Sequence, residues 1–195
     1  MNADQVAALR VLLAPTGWVE RAAGFARALR GSARTPGGLL MVGTPQQEPW
    51  HLAAHLDEES RLNGIPELMP TLVRWQVPPG APAHLSVGLN RLEAARRGES
   101  LLVVSPEAAP GPLLERVSDA WHTGATIFAL DRGDPELAGL AHEALAVAAE
   151  AAPLSFDAAQ HLVSSAAGET GGGGRIGWRD RLARLLDTVS GAGPA

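Results

Sequence analysis

Two histidines four residues apart, His51 and His55, are residues whose type and spacing point to chemistry. The segment around them, from Pro49 to about Arg61, has the pattern of a helix that opens on a proline. Residues four apart lie on the same face of a helix, so both imidazoles can bind one metal ion. The alternative is that they line a subunit interface or a cleft without a metal.

The elements that must position these residues alternate between strands and helices. Apolar runs bounded by glycine or polar residues, which are typical of strands buried in a parallel sheet, lie at 39–42, 101–104 and 125–130. Weaker strands are predicted at 71–75 and 144–148. Helices are predicted at 4–13, 18–30, 49–61, 85–97, 112–123, 137–143 and 154–167. This order predicts an α/β fold, a three-layer αβα sandwich with a mainly parallel five-stranded sheet.

Composition excludes several kinds of chemistry. The chain has 195 residues and no cysteine, which rules out disulfides, thiolate metal ligands and cysteine nucleophiles. All 16 cationic residues are arginines, so lysine chemistry is absent. A net charge of −5 disfavours nucleic acid as a partner. No apolar run approaches the ~20 residues that span a membrane, and no secretory signal is evident, so we expect a cytoplasmic protein.

The loops that follow the strands are the expected ligand site, because open parallel sheets bind ligands beyond the carboxyl ends of their strands. The residues that we expect to contact a ligand there are Thr44, Gln46, Gln47, Ser105 and Asp131. For Ser105 the alternative is a strand-end cap, and for Asp131 it is a turn residue. Glu48 and Glu107 lie in two of these loops and are the candidate catalytic acid/base pair. The alternative is that both are solvated loop carboxylates.

Four segments appear in an order that resembles a known family. They are GGLLMVG at 37–43, HLAAHL at 51–56, GESLLVVS at 98–105 and TGATIFAL at 123–130. From Trp18 to Ala167 the chain resembles the sugar isomerase (SIS) domain family, and within it the phosphoheptose isomerases. The resemblance implies an SIS-type fold, a homodimer or homotetramer, and a ligand that is a carbohydrate derivative.

The two loops that hold the phosphate of the sugar in the family differ in this chain. The first reads Gly-Thr-Pro-Gln-Gln-Glu at 43–48, and the second reads Ser-Pro-Glu-Ala-Ala-Pro at 105–110. Prolines have no N–H to donate, and Glu107 would repel a phosphate. We therefore expect a degenerate SIS-domain protein that binds a small sugar-derived or anionic ligand in a regulatory or scaffolding role. An active phosphosugar isomerase with remodelled loops is the alternative.

The resemblance also implies a set of metal ligands. Certain phosphoheptose isomerases bind zinc with a histidine and a glutamate at the spacing of His51 and His55, plus a glutamine and a histidine from the last helix. In this chain His55 takes the place of the glutamate, Gln160 matches the glutamine, and His161 stands beside it. The predicted ligands of zinc or another divalent metal are therefore His51, His55, Gln160 and His161.

The C-terminal segment gives a separate signal. We expect one SIS-like domain over 1–169, a glycine-rich linker over 170–177 and an amphipathic helix over 178–190. The apolar stripe of that helix consists of Trp178, Leu182, Leu185, Leu186 and Val189. It can dock on its own domain, on a second copy of the chain or on another protein. A third interpretation of the chain is thus a structural partner that acts through this helix.

Overall fold

A parallel sheet of five strands forms the centre of the fold in the computed structural model, which describes residues 3–148 and 154–169. The strands are β1 (Leu39–Val42), β2 (Pro70–Val73), β3 (Ser100–Ser105), β4 (Thr126–Asp131) and β5 (Glu143–Ala146). Their order in the sheet is β2-β1-β3-β4-β5, and each neighbouring pair is parallel. The predicted α/β class and five-stranded sheet are confirmed.

Helices cover both faces of the sheet. They are α1 (Ala3–Leu13), α2 (Trp18–Ser32), α3 (Trp50–Asn63), α4 (Asn90–Glu93), α5 (Gly111–His122), α6 (Pro135–Leu140) and α7 (Phe156–Gly168). Alternate residues of β1 point to opposite faces, so Leu39 and Met41 join one core while Leu40 and Val42 join the other. The first core contains the buried sides of α2, α3 and α7, and the second contains those of α4, α5 and α6. The result is the expected three-layer sandwich.

The strand order determines where loops from different parts of the chain meet. The chain passes from β1 to β2 on one side of β1, and then returns to β3 on the other side. Leu39 pairs with Pro70 on β2 and with Ser100 on β3. In open parallel sheets, this reversal leaves a crevice at the carboxyl ends of the two strands that flank it. The loops after Val42 and Ser105 flank that crevice here.

The predicted helix over 85–97 is wrong. The structure has a short 3-10 turn at Ala83–Leu85 and only one turn of helix, α4, at Asn90–Glu93. The cause lies in the backbone hydrogen bond that Arg74 N donates to Val87 O at 2.8 Å, beside a parallel bridge between Arg74 and Gly88. Because that segment pairs with the end of β2, its backbone is extended at residues where the sequence pattern predicted a turn of α-helix.

The other predicted elements are present with shifted ends. The strand predicted at 71–75 is Pro70–Val73, and the one predicted at 144–148 is Glu143–Ala146. Asp131, expected just beyond β4, is its last residue. The predicted linker and C-terminal helix lie outside the described residues. None of the helices in the described ranges is long and apolar enough to cross a membrane.

Candidate metal centre

Helix α3 presents two histidines from its first two turns. Pro49, the predicted first residue, is its N-cap, so the helix begins one residue later than predicted and buries Leu52 and Leu56 in the core. His51 and His55 lie on another side of α3, where their rings are 4.5 Å apart between centroids. Their Nε2 atoms are 3.1 Å apart. The shared face that the four-residue spacing predicted is therefore present.

Helix α7 presents the third histidine. Ser155 caps the helix by accepting a hydrogen bond from Ala158 N at 3.1 Å. The helix packs against both α2 and α3, and His161 is only 5% exposed. At its last residue, Gly168, a Cβ atom would lie 2.6 Å from Glu59 Cδ of α3. Only glycine lets the two helices approach so closely without a shift of that side chain.

The three imidazoles converge at the contact between α3 and α7. His51 Nε2 lies 3.1 Å from His161 Nε2 and 3.1 Å from His55 Nε2. One ring nitrogen from each residue falls within 4.8 Å of the others. Zinc binds histidine nitrogen at about 2.0–2.1 Å, so two nitrogens on one tetrahedral ion are about 3.3 Å apart. The three histidines are therefore close enough to bind one metal ion.

Burial keeps the imidazoles of His161 and His55 in the form that binds metals. The pKa of His161 is lowered to about 4, mainly by burial, and the neighbouring His55 and His51 contribute to the shift. Burial also lowers the pKa of His55, as does His51, while Glu58 opposes the shift. Glu58 Oε2 lies 3.8 Å from His55 Nδ1. A neutral imidazole has a lone pair for a metal, so the donor set suits a transition-metal ion at neutral pH.

The cluster contains three of the four predicted ligands. In the part of the chain that the structure describes, His51, His55 and His161 form the only group of three or more histidines or carboxylates close enough for one ion. Gln160 is buried, and its Nε2 donates a hydrogen bond to Asp157 Oδ1 at 3.2 Å. The place of Gln160 as a ligand stays a prediction.

The two carboxylates of the candidate acid/base pair lie in different surroundings. Glu48 Oε2 forms an ion pair with Arg74 Nε at 3.2 Å, and Glu48 Oε1 accepts a hydrogen bond from Trp75 N at 3.2 Å. Glu107 is exposed, and its backbone oxygen accepts a hydrogen bond from Ser105 Oγ at 2.6 Å. Glu48 is thus held by a cation, and the Ser105 hydroxyl closes the strand-end turn.

The other predicted contact residues divide into buried and exposed ones. Thr44 is buried and forms a tight turn with Gln47, because the N–H of each residue donates to the backbone oxygen of the other at 3.2 Å. The side chains of Gln46 and Gln47 are exposed. Asp131 is 1% exposed, and its Oδ1 accepts from Gly133 N at 2.5 Å. Burial raises the pKa of Asp131.

Sequence analysis named only Gln46, Gln47 and Glu48 among the residues that line a groove beside α3, which we call the Trp50 groove. Its volume is about 820 Å³, and it is lined by Pro45, Gln46, Gln47, Glu48, Trp50, Arg74, Trp75, Gln76, Val77, Pro78 and Pro79. The loop after β1 and the segment after β2 form its walls. The sequence feature that could have indicated the groove is a tryptophan after each of these two strands, with an arginine at position 74.

Comparisons with known proteins add little to this geometry. No protein-family model matches the chain, and no curated protein matches it. Among solved structures, the chain is similar to the crystal structure of a proposed sugar binding protein from Salmonella typhimurium LT2. The TM-score is 0.44 with 12% sequence identity, over 88% of this chain and 53% of that one. The chain spans about half the length of that protein, and a similarity at this level indicates no function.

Proposed function

We propose that this protein binds a divalent transition-metal ion, zinc by its ligand chemistry, through His51, His55 and His161. The observation that carries the proposal is the position of His51 Nε2, 3.1 Å from the Nε2 atoms of both other histidines. Imidazole nitrogen suits zinc, copper, nickel and iron, whereas magnesium and calcium require oxygen ligands. The residues present therefore fit zinc.

Three protein ligands also suggest what the site is for. Structural zinc sites are closed by four protein ligands, whereas three protein ligands leave a position for water or a ligand. A bound zinc ion supplies Lewis-acid polarisation to an oxygen atom that reaches it. We therefore propose that the protein binds a small oxygen-bearing ligand, of the sugar-derived class that the SIS resemblance implies.

The strand-end loops favour a binding or regulatory role over isomerisation. An isomerase of this type needs a free base and groups that bind a phosphate. Arg74 engages the carboxylate of Glu48, and the Ser105 hydroxyl donates a hydrogen bond to the backbone oxygen of Glu107. The Glu48 carboxylate and the Ser105 hydroxyl thus have partners that an isomerase reaction would have to displace.

Metal analysis tests this proposal directly. We expect about one zinc ion per chain in protein purified without a histidine tag and dialysed against zinc, and less than about a tenth in H161A or H51A, because two imidazoles bind zinc much more weakly than three. The matched control is H122A, which removes an exposed histidine of α5 on the opposite side of the sheet. Wild-type protein with less than a tenth of an equivalent would contradict the proposal.

An activity assay separates binding from catalysis. We expect no turnover of a seven-carbon ketose phosphate by the zinc-loaded protein. Isomerisation that H51A abolishes and H122A leaves intact would overturn the binding role and establish the isomerase alternative.

The assembly state and the C-terminal segment need a separate experiment. We propose a homodimer or homotetramer whose assembly or partner capture involves residues 178–190. Deletion of the residues after Thr170 is expected to change the mass measured by light scattering or the proteins captured in a pull-down. If both are unchanged, the segment has no such role.

A further inference from the structure

We propose that the Trp50 groove binds a neutral saccharide, independently of the metal centre. Its volume of about 820 Å³ lies within the range of small-molecule sites, about 300–1,000 Å³. The lining combines aromatic rings, amides and one ion pair, a combination that matches the two chemical faces of a sugar. The C–H face of a sugar ring packs on an aromatic ring, and its hydroxyls bond to amides and charged groups.

Trp50 supplies the aromatic surface. Its side chain is one of the exposed large apolar groups of the protein, at 42%. The guanidinium of Arg74 lies over the ring, with Cζ 4.7 Å from the ring centroid. This cation–π contact holds the indole in place before a ligand arrives, so less side-chain entropy is lost on binding.

The polar groups of the groove are also positioned in advance. The side chains of Glu48 and Arg74 are only 13% and 17% exposed, and their ion pair is fixed by the hydrogen bond from Trp75 N to Glu48. Three exposed glutamines, Gln46, Gln47 and Gln76, complete the polar wall. An amide both donates and accepts hydrogen bonds, which is what a hydroxyl requires.

The charge of the groove selects a neutral ligand. Its lining residues include one carboxylate, Glu48, and one cation, Arg74, and these form an ion pair with each other. A phosphate would meet no surplus positive charge and would lie close to the carboxylate. The groove therefore differs from a site for a phosphorylated sugar.

A proline-rich peptide is the competing occupant, because such peptides dock in grooves lined by aromatic residues. These grooves present indole N–H groups to peptide carbonyls. The indole N–H of Trp75 is already donated to Gly43 O at 2.7 Å. With that donor used and three amides offered instead, a saccharide suits the groove better.

Binding of six neutral sugars tests the proposal. The probes are glucose, galactose, mannose, N-acetylglucosamine, maltose and cellobiose, titrated into the full-length protein and followed by NMR line shifts. We expect saturable binding of at least one sugar with a Kd below about 10 mM. W50A should weaken it by about tenfold or more, because the stacking surface is lost. Q76A, which removes only an exposed amide, should weaken it about threefold.

Two control variants make the result specific. W121A removes another exposed tryptophan, 46% exposed on α5, and should leave the Kd unchanged. H161A should also leave it unchanged while it abolishes zinc binding, so failure of the metal site and failure of the groove are told apart.

Three outcomes would overturn the proposal. The first is that none of the six sugars binds with a Kd below about 10 mM. The second is that glucose 6-phosphate binds more tightly than glucose. The third is that a ten-residue polyproline peptide binds, W50A abolishes that binding, and the sugars do not compete.

Discussion

His161 Nε2 lies 3.1 Å from His51 Nε2 although the two residues are 110 positions apart in the chain. The contact exists because α3 and α7 pack against each other on one face of the sheet. Both helices are anchored by buried leucines, Leu52 and Leu56 on α3 and Leu162 on α7. The candidate metal centre is therefore a product of core packing, and variants that shift these helices should also weaken metal binding.

Glu58 should strengthen metal binding through His55. Its carboxylate lies 3.8 Å from His55 Nδ1 and opposes the lowering of the pKa of that imidazole by burial, so it makes His55 a better ligand. Because Glu58 is exposed to solvent, we expect E58Q to weaken zinc binding by less than about tenfold. Competition with a zinc-binding dye measures the change. E115Q, on the opposite layer of helices, should have no effect, and equal effects of the two variants would count against this role.

The metal-free protein should lose stability as the pH falls. The folded-state pKa of His161 is about 4 and its ordinary value is 6.5, so between these values the unfolded state binds more protons. The contribution of this residue to the free energy of unfolding should thus be constant above pH 6.5 and fall by about 1–3 kcal/mol towards pH 4. Urea unfolding of EDTA-treated protein measures this. H161Q should show a smaller loss in the free energy of unfolding between pH 6.5 and pH 4. If the wild type and H161Q lose stability in parallel over this range, His161 is not the group responsible.

Gly43 should tolerate no side chain. A Cβ atom there would collide with the backbone oxygen of Gln47 and lie 2.7 Å from Pro49 Cδ. We expect G43A to lower the free energy of unfolding by about 2 kcal/mol, because the turn after β1 must move. G24A is the matched control, since a Cβ in that helical position of α2 meets nothing within 4 Å. It should stabilise by about 0.5–1 kcal/mol in the same urea experiment. Loss of stability in both variants would contradict the explanation.

Asp131 should be replaceable by its neutral isostere. Its pKa is raised by burial, so the folded state holds the proton more tightly than the unfolded state and stability falls as the pH rises above 3.8. Asn can still accept the Gly133 N–H through Oδ1. We expect D131N to be as stable as the wild type or up to about 1 kcal/mol more stable at pH 7, with a smaller difference at pH 4. A loss above 2 kcal/mol would mean that the carboxylate has a partner that needs its charge.

Most secondary structure could be predicted because its signals are local. Strands β1 and β3 coincide closely with the apolar runs at 39–42 and 101–104, and helix α2 coincides with the helical pattern at 18–30. The helix predicted at 85–97 failed for a reason that no local pattern carries. Its backbone bonds to Arg74, more than ten residues earlier in the chain.

The sequence by itself determined the α/β class and the shared helix face of His51 and His55, because both follow from short-range periodicity. The family resemblance already suggests His161 as a further ligand, and the tertiary structure brings it close to them. Only the tertiary structure decided that Glu48 pairs with Arg74, and that Trp50 and Trp75 line one groove. Each of these relationships depends on the angle and separation at which distant elements pack. Those quantities are set by the side-chain volumes of the whole core rather than by neighbours in the chain.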